Sequence, residues 1–493
     1  MRGRASLGVA LAMLVALAGC GKGSDGPLSV GVIGTEPSVF ASGLRISQGA
    51  QELRSATTAG LVALDAQGEI EPALADRWIV TDDGRSYIFR LREGTWPDGA
   101  ELTGESARVA LRNVVRHLRG TSLGLDLGQV AEVRAMAGRV VEIDLAAPMP
   151  DFLRLLAQPE MALTHGGFGA GPMTMKRNEP GKGSNSAELS FRPPEARGLP
   201  QEQGWQKHVR ALELHALDAK TALAAFDQGQ VDVVLGGTLA TWPMANPGPL
   251  SRGNLRVDNA LGLFGLQVER ETGFLARPEN REALAMAIDR DALLAPFNIG
   301  GWPPTTRLVP AVVAGASAPE RWAGLSIDQR RATAAARVAG WRGGAGKGQG
   351  PKLTLALEQG PGMDILFDGL SAQLGQVGIA LERVGADQPA DLTVVDQVAR
   401  YASPIWFLNQ FNCSLHRGLC SSLADAAVAE GLTLPGGERT ALLGRAEAIL
   451  TAANVYIPLG APLRWSMVRS SVDGFVDNQW AVHPLPAMAT IPK

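Results

Sequence analysis

Between residues 68 and 118 the apolar positions change period. Residues 78–81 and 86–92 have strand composition on either side of Asp82-Asp83-Gly84, and Tyr87, Phe89 and Leu91 alternate with Ser86, Arg90 and Arg92. This predicts a hairpin with one apolar and one mostly charged face. Trp96-Pro97-Asp98-Gly99 turns the chain again. Behind Thr103, a good N-cap, Ala107, Ala110, Leu111, Val114, Val115 and Leu118 fall on one helical stripe.

The same reading extends along the chain. Strands are expected at Leu28–Ile33, 139–145, 209–217, 231–235, 261–268, Lys352–Leu357, 379–384, 391–395 and 455–459. Helices are expected within 48–64, around Phe152–Leu156, from Asp218 through Phe226, and at 363–377 and 437–453. Two β-α-β units follow, one ending at 235 and one at 384. Ala283, Ala287 and Ile288 share a helix face, and Asp289 can cap the next helix. The segment 178–204, rich in Gly, Pro, Ser and charge, reads as a loop.

Two glycine clusters invite a nucleotide-binding reading and fail it. The cluster at 165–172 lacks the strand before it and the helix after it that a dinucleotide fingerprint requires, so it reads as a turn. At 343–350, Trp341 holds the first-glycine position relative to Lys347, and Gly348 stands where Ser or Thr must reach Mg²⁺.

With 493 residues the chain exceeds a single core, and two large lobes suit it. A hydrophobic fraction of 45% and a net charge of −3 are those of an ordinary globular protein, without the basic excess of a nucleic-acid binder. Arg2 and Arg4 precede an apolar run from Leu7 to Ala18, the core of a signal peptide, and Leu17-Ala18-Gly19-Cys20 reads as a lipobox. Residues 1–19 are thus a lipoprotein signal, Cys20 the lipidated anchor and 20–27 a tether, which places the protein in the cell envelope as an exported, periplasmic lipoprotein. Cys413 and Cys420, in an oxidising compartment, read as a disulfide. The alternative is a thiolate metal site with His416.

The order Glu71-Pro72-Ala73-Leu74-Ala75, Trp78, Val80, Asp82-Asp83-Gly84, Tyr87, Phe89, Leu91-Arg92, Gly94, then Trp96, Asp98-Gly99 and a helix opening Thr103-Gly104-Glu105, closely resembles the signature of the family 5 extracellular solute-binding proteins. These are receptors of dipeptide, oligopeptide and nickel ABC importers. The run from Arg281 to Asp291, R-x-A-x-x-x-A-I-D-R-x, resembles the family's second signature, and the text from Ala224 to Asp232 a further element. The resemblance implies an α/β, two-lobed type II periplasmic-binding-protein fold with an extra N-terminal subdomain and a hinge between lobes. Lobe I is expected at 28–260, with the subdomain inserted at about 50–166, and completed by 458–493. Lobe II is expected at 261–457, with crossovers near 259–262 and 454–459.

It also implies a small-molecule or peptide ligand held in the cleft between the lobes. In peptide-binding relatives an aspartate in a D-P-x-x-F loop pairs with the ligand's ammonium, whereas here Ser403 stands at that position, before Pro404. A desolvated ammonium without its carboxylate loses a strong interaction, so the ligand is expected to lack a cationic amine, or to be an anion met by Arg45 or Arg54. The alternative is that another acid, such as Asp396, takes over. Trp242, Trp302 and Trp406 are the aromatic candidates for the cleft, with Trp302 and Trp406 read as lying in loops, and Tyr401 and Asn409 are candidate hydrogen-bonding groups. No cofactor, metal site or catalytic constellation is expected. There is no H-E-x-x-H or G-x-S-x-G, and His208 and His215 lie seven apart across a strand. The expected partners are ABC permease subunits and, through the lipid anchor, a membrane. The protein is expected to be a monomer. A conventional peptide receptor and a scaffold or chaperone-like lipoprotein are the alternatives.

Overall fold

The computed structural model describes residues 26–43, 46–178, 185–245, 252–314 and 320–492. The signal segment, Cys20 and Arg45 lie outside them. Two large sheets organise the rest. The first runs in the order Met173–Arg177, Ser186–Phe191, Leu212–Leu217, Leu28–Ile33, Val233–Thr238, Arg464–Val468 and Leu255–Asp258. The second runs Ala380–Gly385, Lys352–Leu357, Leu392–Val398, Gly262–Val268 and Tyr456–Gly460. This is a mixed α/β, two-lobed architecture.

Leu28–Ile33 is the centre of the first sheet, parallel to both of its neighbours. A strand covered on both faces needs a continuous apolar run, and Leu28, Val30 and Val32 are fully buried. The expected β-α-β unit is present in altered form. Asp218 caps helix Ala219–Asp227 by accepting from the Thr221 amide at 3.1 Å, but Leu28–Ile33 lies between the two strands that the helix connects. A central strand supplied from the far end of the chain is a tertiary choice that local pattern does not contain.

The hairpin forms as Ala75–Val80 against Ser86–Leu91, with Trp78 opposite Phe89 and Gly84 at φ 67° in the turn. Val140–Leu145 and Val130–Met136 complete a four-stranded sheet. Its inner face, Tyr87, Phe89 and Leu91, is buried under helix Gly104–His117 and the residues that follow Leu145. Thr103 caps that helix, with Ser106 reciprocating at N3.

One stretch read as a loop contains a strand. Ser186–Phe191, inside the stretch read as a loop, is a strand between Met173–Arg177 and Leu212–Leu217. Only Ala187 and Leu189 mark its buried face, and the flanking Gly, Pro and Ser outweigh that short alternation.

The chain crosses between the two sheets at residues 259–261 and again at 461–463. The second crossing falls after the expected 454–459, because Tyr456–Gly460 still pairs with Gly262–Val268. Two buried arginines of the second signature brace this region. Arg281 donates to the Leu275 and Ala453 carbonyls at 2.7 and 2.8 Å, and Arg290 to that of Pro458 at 2.7 Å.

Candidate functional site

A cavity of about 430 Å³ opens between the lobes. Gln48 and Gln51 from helix Gln48–Thr57, the turn at 121–123 and Glu160 form one wall. Residues 396–400, Trp406, Arg417 and Arg464 form the other, and Trp480 closes it. Its charge is uneven, with three arginines and two carboxylates on the lining.

Each carboxylate is already engaged. Asp396 accepts from Arg464 at 2.7 Å, in a pair whose side chains are only 10% and 13% exposed. Glu160, almost fully buried, accepts from Arg400 Nη2 at 3.3 Å, while Arg400 Nη1 donates to the Ser122 hydroxyl at 3.2 Å. Arg417 sits in a loop closed by the disulfide Cys413–Cys420, whose Cα atoms are 5.1 Å apart. Gly418 follows in left-handed backbone, φ 51°, pressed so closely on Val268 O that a Cβ there would lie 2.8 Å from it.

Two buried side-chain atoms of lining residues have no hydrogen-bond partner among the described residues, Trp406 Nε1 and Gln48 Oε1. The lining therefore carries guanidinium charge and apolar contact area, backed by one buried indole donor and one buried amide acceptor that are unpaired. Such a combination can orient a small organic ligand.

Behind the wall, Asp126 Oδ1 accepts from the Tyr401 hydroxyl at 2.9 Å and from Asn409 Nδ2 at 2.8 Å. Burial pushes its carboxyl up to about 7, against the opposing effects of those two hydrogen bonds and of the Arg400 charge. Here a subdomain helix, Ser122–Asp126, meets helix Pro404–Asn409.

The family model for bacterial extracellular solute-binding proteins, family 5, matches residues 69–416. The chain belongs to family 5 of the bacterial extracellular solute-binding proteins. It is 29% identical over 294 residues to the probable deoxycholate-binding periplasmic protein YgiS of Escherichia coli K12, a match spanning 52% of this chain and 52% of that protein. The chain thus spans about half the length of this curated relative. Among solved structures, Haemophilus influenzae OppA in complex with the peptide RPPGFSPFR superposes with a TM-score of 0.81 at 17% identity, covering 95% of this chain and 100% of that one. The Escherichia coli murein tripeptide binding protein MppA gives a TM-score of 0.80 at 18% identity, covering 95% and 98%.

In this solute-binding protein the residues singled out in the sequence go to different places. Trp406 is on the cavity lining, on helix Pro404–Asn409 and not in a loop, because Ser403 and Pro404 form its N-cap and first turn. Ser403 spends its hydroxyl on that cap, accepting from the Ile405 amide at 3.4 Å. Tyr401 and Asn409 stand one layer back, on Asp126. Trp242 and Trp302 pack against the second lobe's core, and their indole N–H groups are bound to the carbonyls of Phe297 and Ala461, both at 2.8 Å. Arg54 donates to the Gly43 carbonyl at 2.6 Å and is not on the lining.

Sequence reasoning missed Arg400, Arg417 and Arg464. Arg464 carried a signal, since it opens the otherwise mostly apolar strand Arg464–Val468. Arg400 immediately precedes the segment Tyr401–Phe407, in which Ser403 stands at the position of the relatives' aspartate. Among the described residues no three His, Cys, Asp or Glu side chains cluster as metal ligands, and no helix is long and apolar enough to cross a membrane.

Proposed function

We propose that this protein is the ligand-capturing component of an ABC importer, exported, anchored through Cys20, and specific for a small organic anion without a cationic amine. The observation that carries the reading is the interlobe cavity with Arg400, Arg417 and Arg464 on its lining, both lining carboxylates being engaged by arginine. A ligand ammonium would have to compete with Arg400 for Glu160 or with Arg464 for Asp396, whereas a ligand carboxylate adds to both arrangements. The name of the relative YgiS, probable deoxycholate-binding, supports an anionic, largely apolar ligand. In this reading the lobes built on the seven-stranded and the five-stranded sheets, joined at 259–261 and 461–463, are the units that close on the ligand, as a monomer without a cofactor. The closed form is what the permease subunits engage.

Isothermal titration of the purified protein with deoxycholate and, separately, with a di- and tripeptide mixture tests it. Deoxycholate should bind, and Arg400→Gln should weaken binding by about tenfold or more, the loss of one charge-assisted hydrogen bond. Micromolar binding of peptides with no heat from the organic anion would favour the conventional peptide receptor.

A further inference from the structure

A second cavity, of about 380 Å³, lies within the first lobe, between the four-stranded subdomain and the seven-stranded sheet. It adjoins the interlobe cavity, since Gln51, Leu64 and Gln158 border both. Its floor is apolar, formed by Leu64, Leu74, Trp96 and Leu102, all buried. Arg92, Arg192 and Arg197 line it as well.

Glu52, Asp65, Glu71 and Glu93 are also on the lining, so the question is which of the three guanidinium groups these acids reach. Asp76 and Glu71 offset Arg92, which also donates to the Pro72 carbonyl at 3.2 Å. Among the described residues Arg192 reaches only the carbonyls of Gly171 and Ala196. Arg197 makes no side-chain hydrogen bond among the described residues, and its Nε is buried without a partner. Burial and the charges of Arg92 and Arg192 all act to lower its affinity for a proton.

The crowding is built into the backbone. Gly198 sits at φ 68°, so close to the turn before Trp96 that a Cβ would lie 2.3 Å from the Glu93 carbonyl oxygen and 2.8 Å from Arg92 Cβ. That close approach holds Arg197 beside Arg92. Deeper in, Glu52 lines the same cavity, is 3% exposed, and has Oε2 without a hydrogen-bond partner. An apolar floor, two guanidinium groups without an acid partner among the described residues and an orphaned buried carboxyl oxygen together describe a ligand site and not a packing defect.

We propose that this lobe I cavity is a second binding site, separate from the interlobe cavity, for a small amphipathic carboxylate, with the acid group on Arg192 and Arg197 and the apolar body against Leu64, Leu74, Trp96 and Leu102. The site stands on its own residues and does not depend on what the interlobe cavity takes. The cluster Arg192–Arg197 supplies the charge, and the apolar floor supplies contact area.

Isothermal titration of the purified protein with sodium decanoate decides it. The wild type should bind, and the double variant Arg192→Gln/Arg197→Gln should bind at least about tenfold more weakly. Ala170→Leu, which fills the cavity and leaves the arginines in place, should weaken binding as well. Because decanoate also has the chemistry assigned to the interlobe cavity, both lobe I variants are titrated in an Arg400→Gln background as well, where they should still lower the remaining affinity. Thermal melting of each variant separates lost binding from lost folding. The proposal is overturned if decanoate fails to bind, or if affinity in the Arg400→Gln background survives both lobe I changes.

Discussion

Replacing Asp126 by asparagine isolates the energetics of the buried junction between the subdomain and helix Pro404–Asn409. Asp126 is 3% exposed, and its carboxyl is pushed up to about 7 by burial, with the Asn409 and Tyr401 hydrogen bonds opposing. In the unfolded chain the same group titrates near about 3.9. The folded value is the higher one, so the neutral carboxyl is the form the fold prefers. Its contribution is complete below about pH 4 and is lost as pH rises through about 7. The full interval corresponds to about 4 kcal/mol, and the part between about pH 5 and about pH 8 to about 2.5 kcal/mol.

Asparagine cannot ionise, so this component disappears in Asp126→Asn while the slopes contributed by Glu52 and other groups remain in both proteins. Urea unfolding of wild type and variant across that range should show the wild type losing about 2.5 kcal/mol more than the variant as pH rises. Parallel stability curves would refute the reasoning, since they would mean that Asp126 is solvated or ionised in the folded protein.

Two further outcomes follow from named contacts. Arg290→Ala should cost about 3–5 kcal/mol in denaturant unfolding, because it strips a buried guanidinium from the carbonyls of Ala285, Ile288 and Pro458 beside the second crossing. Reducing Cys413–Cys420, or replacing both cysteines by serine, should cost about 2–3 kcal/mol of stability for so short a loop. It should also weaken ligand binding by more than the stability change alone explains, because Arg417 hangs on that loop, and titration calorimetry reads this directly.

Much of the architecture was legible because the period of burial writes itself into the sequence. Tyr87, Phe89 and Leu91 announced a one-sided strand, Thr103 a helix start, and Asp218 and Asp289 two further caps, each through interactions among residues close in sequence. Ser186–Phe191 was hidden because a two-residue buried face is too short to stand out from flanking turn residues. The cavity was harder to see. Its arginines come from positions 400, 417 and 464 and its acids from 160 and 396, so only the meeting of two sheets brings them together.

By itself the sequence determined the family, through local signatures that encode hairpin, caps and buried arginines, all governed by neighbours along the chain. Only the tertiary structure decided which charges meet at the interlobe cavity. Whether an arginine is a solvated surface charge or lines a closed cavity depends on burial and on partners hundreds of residues away, as Arg400 with Glu160 and Tyr401 with Asp126 demonstrate. Local pattern specifies which face of an element is apolar, but not which distant charge will be desolvated beside it.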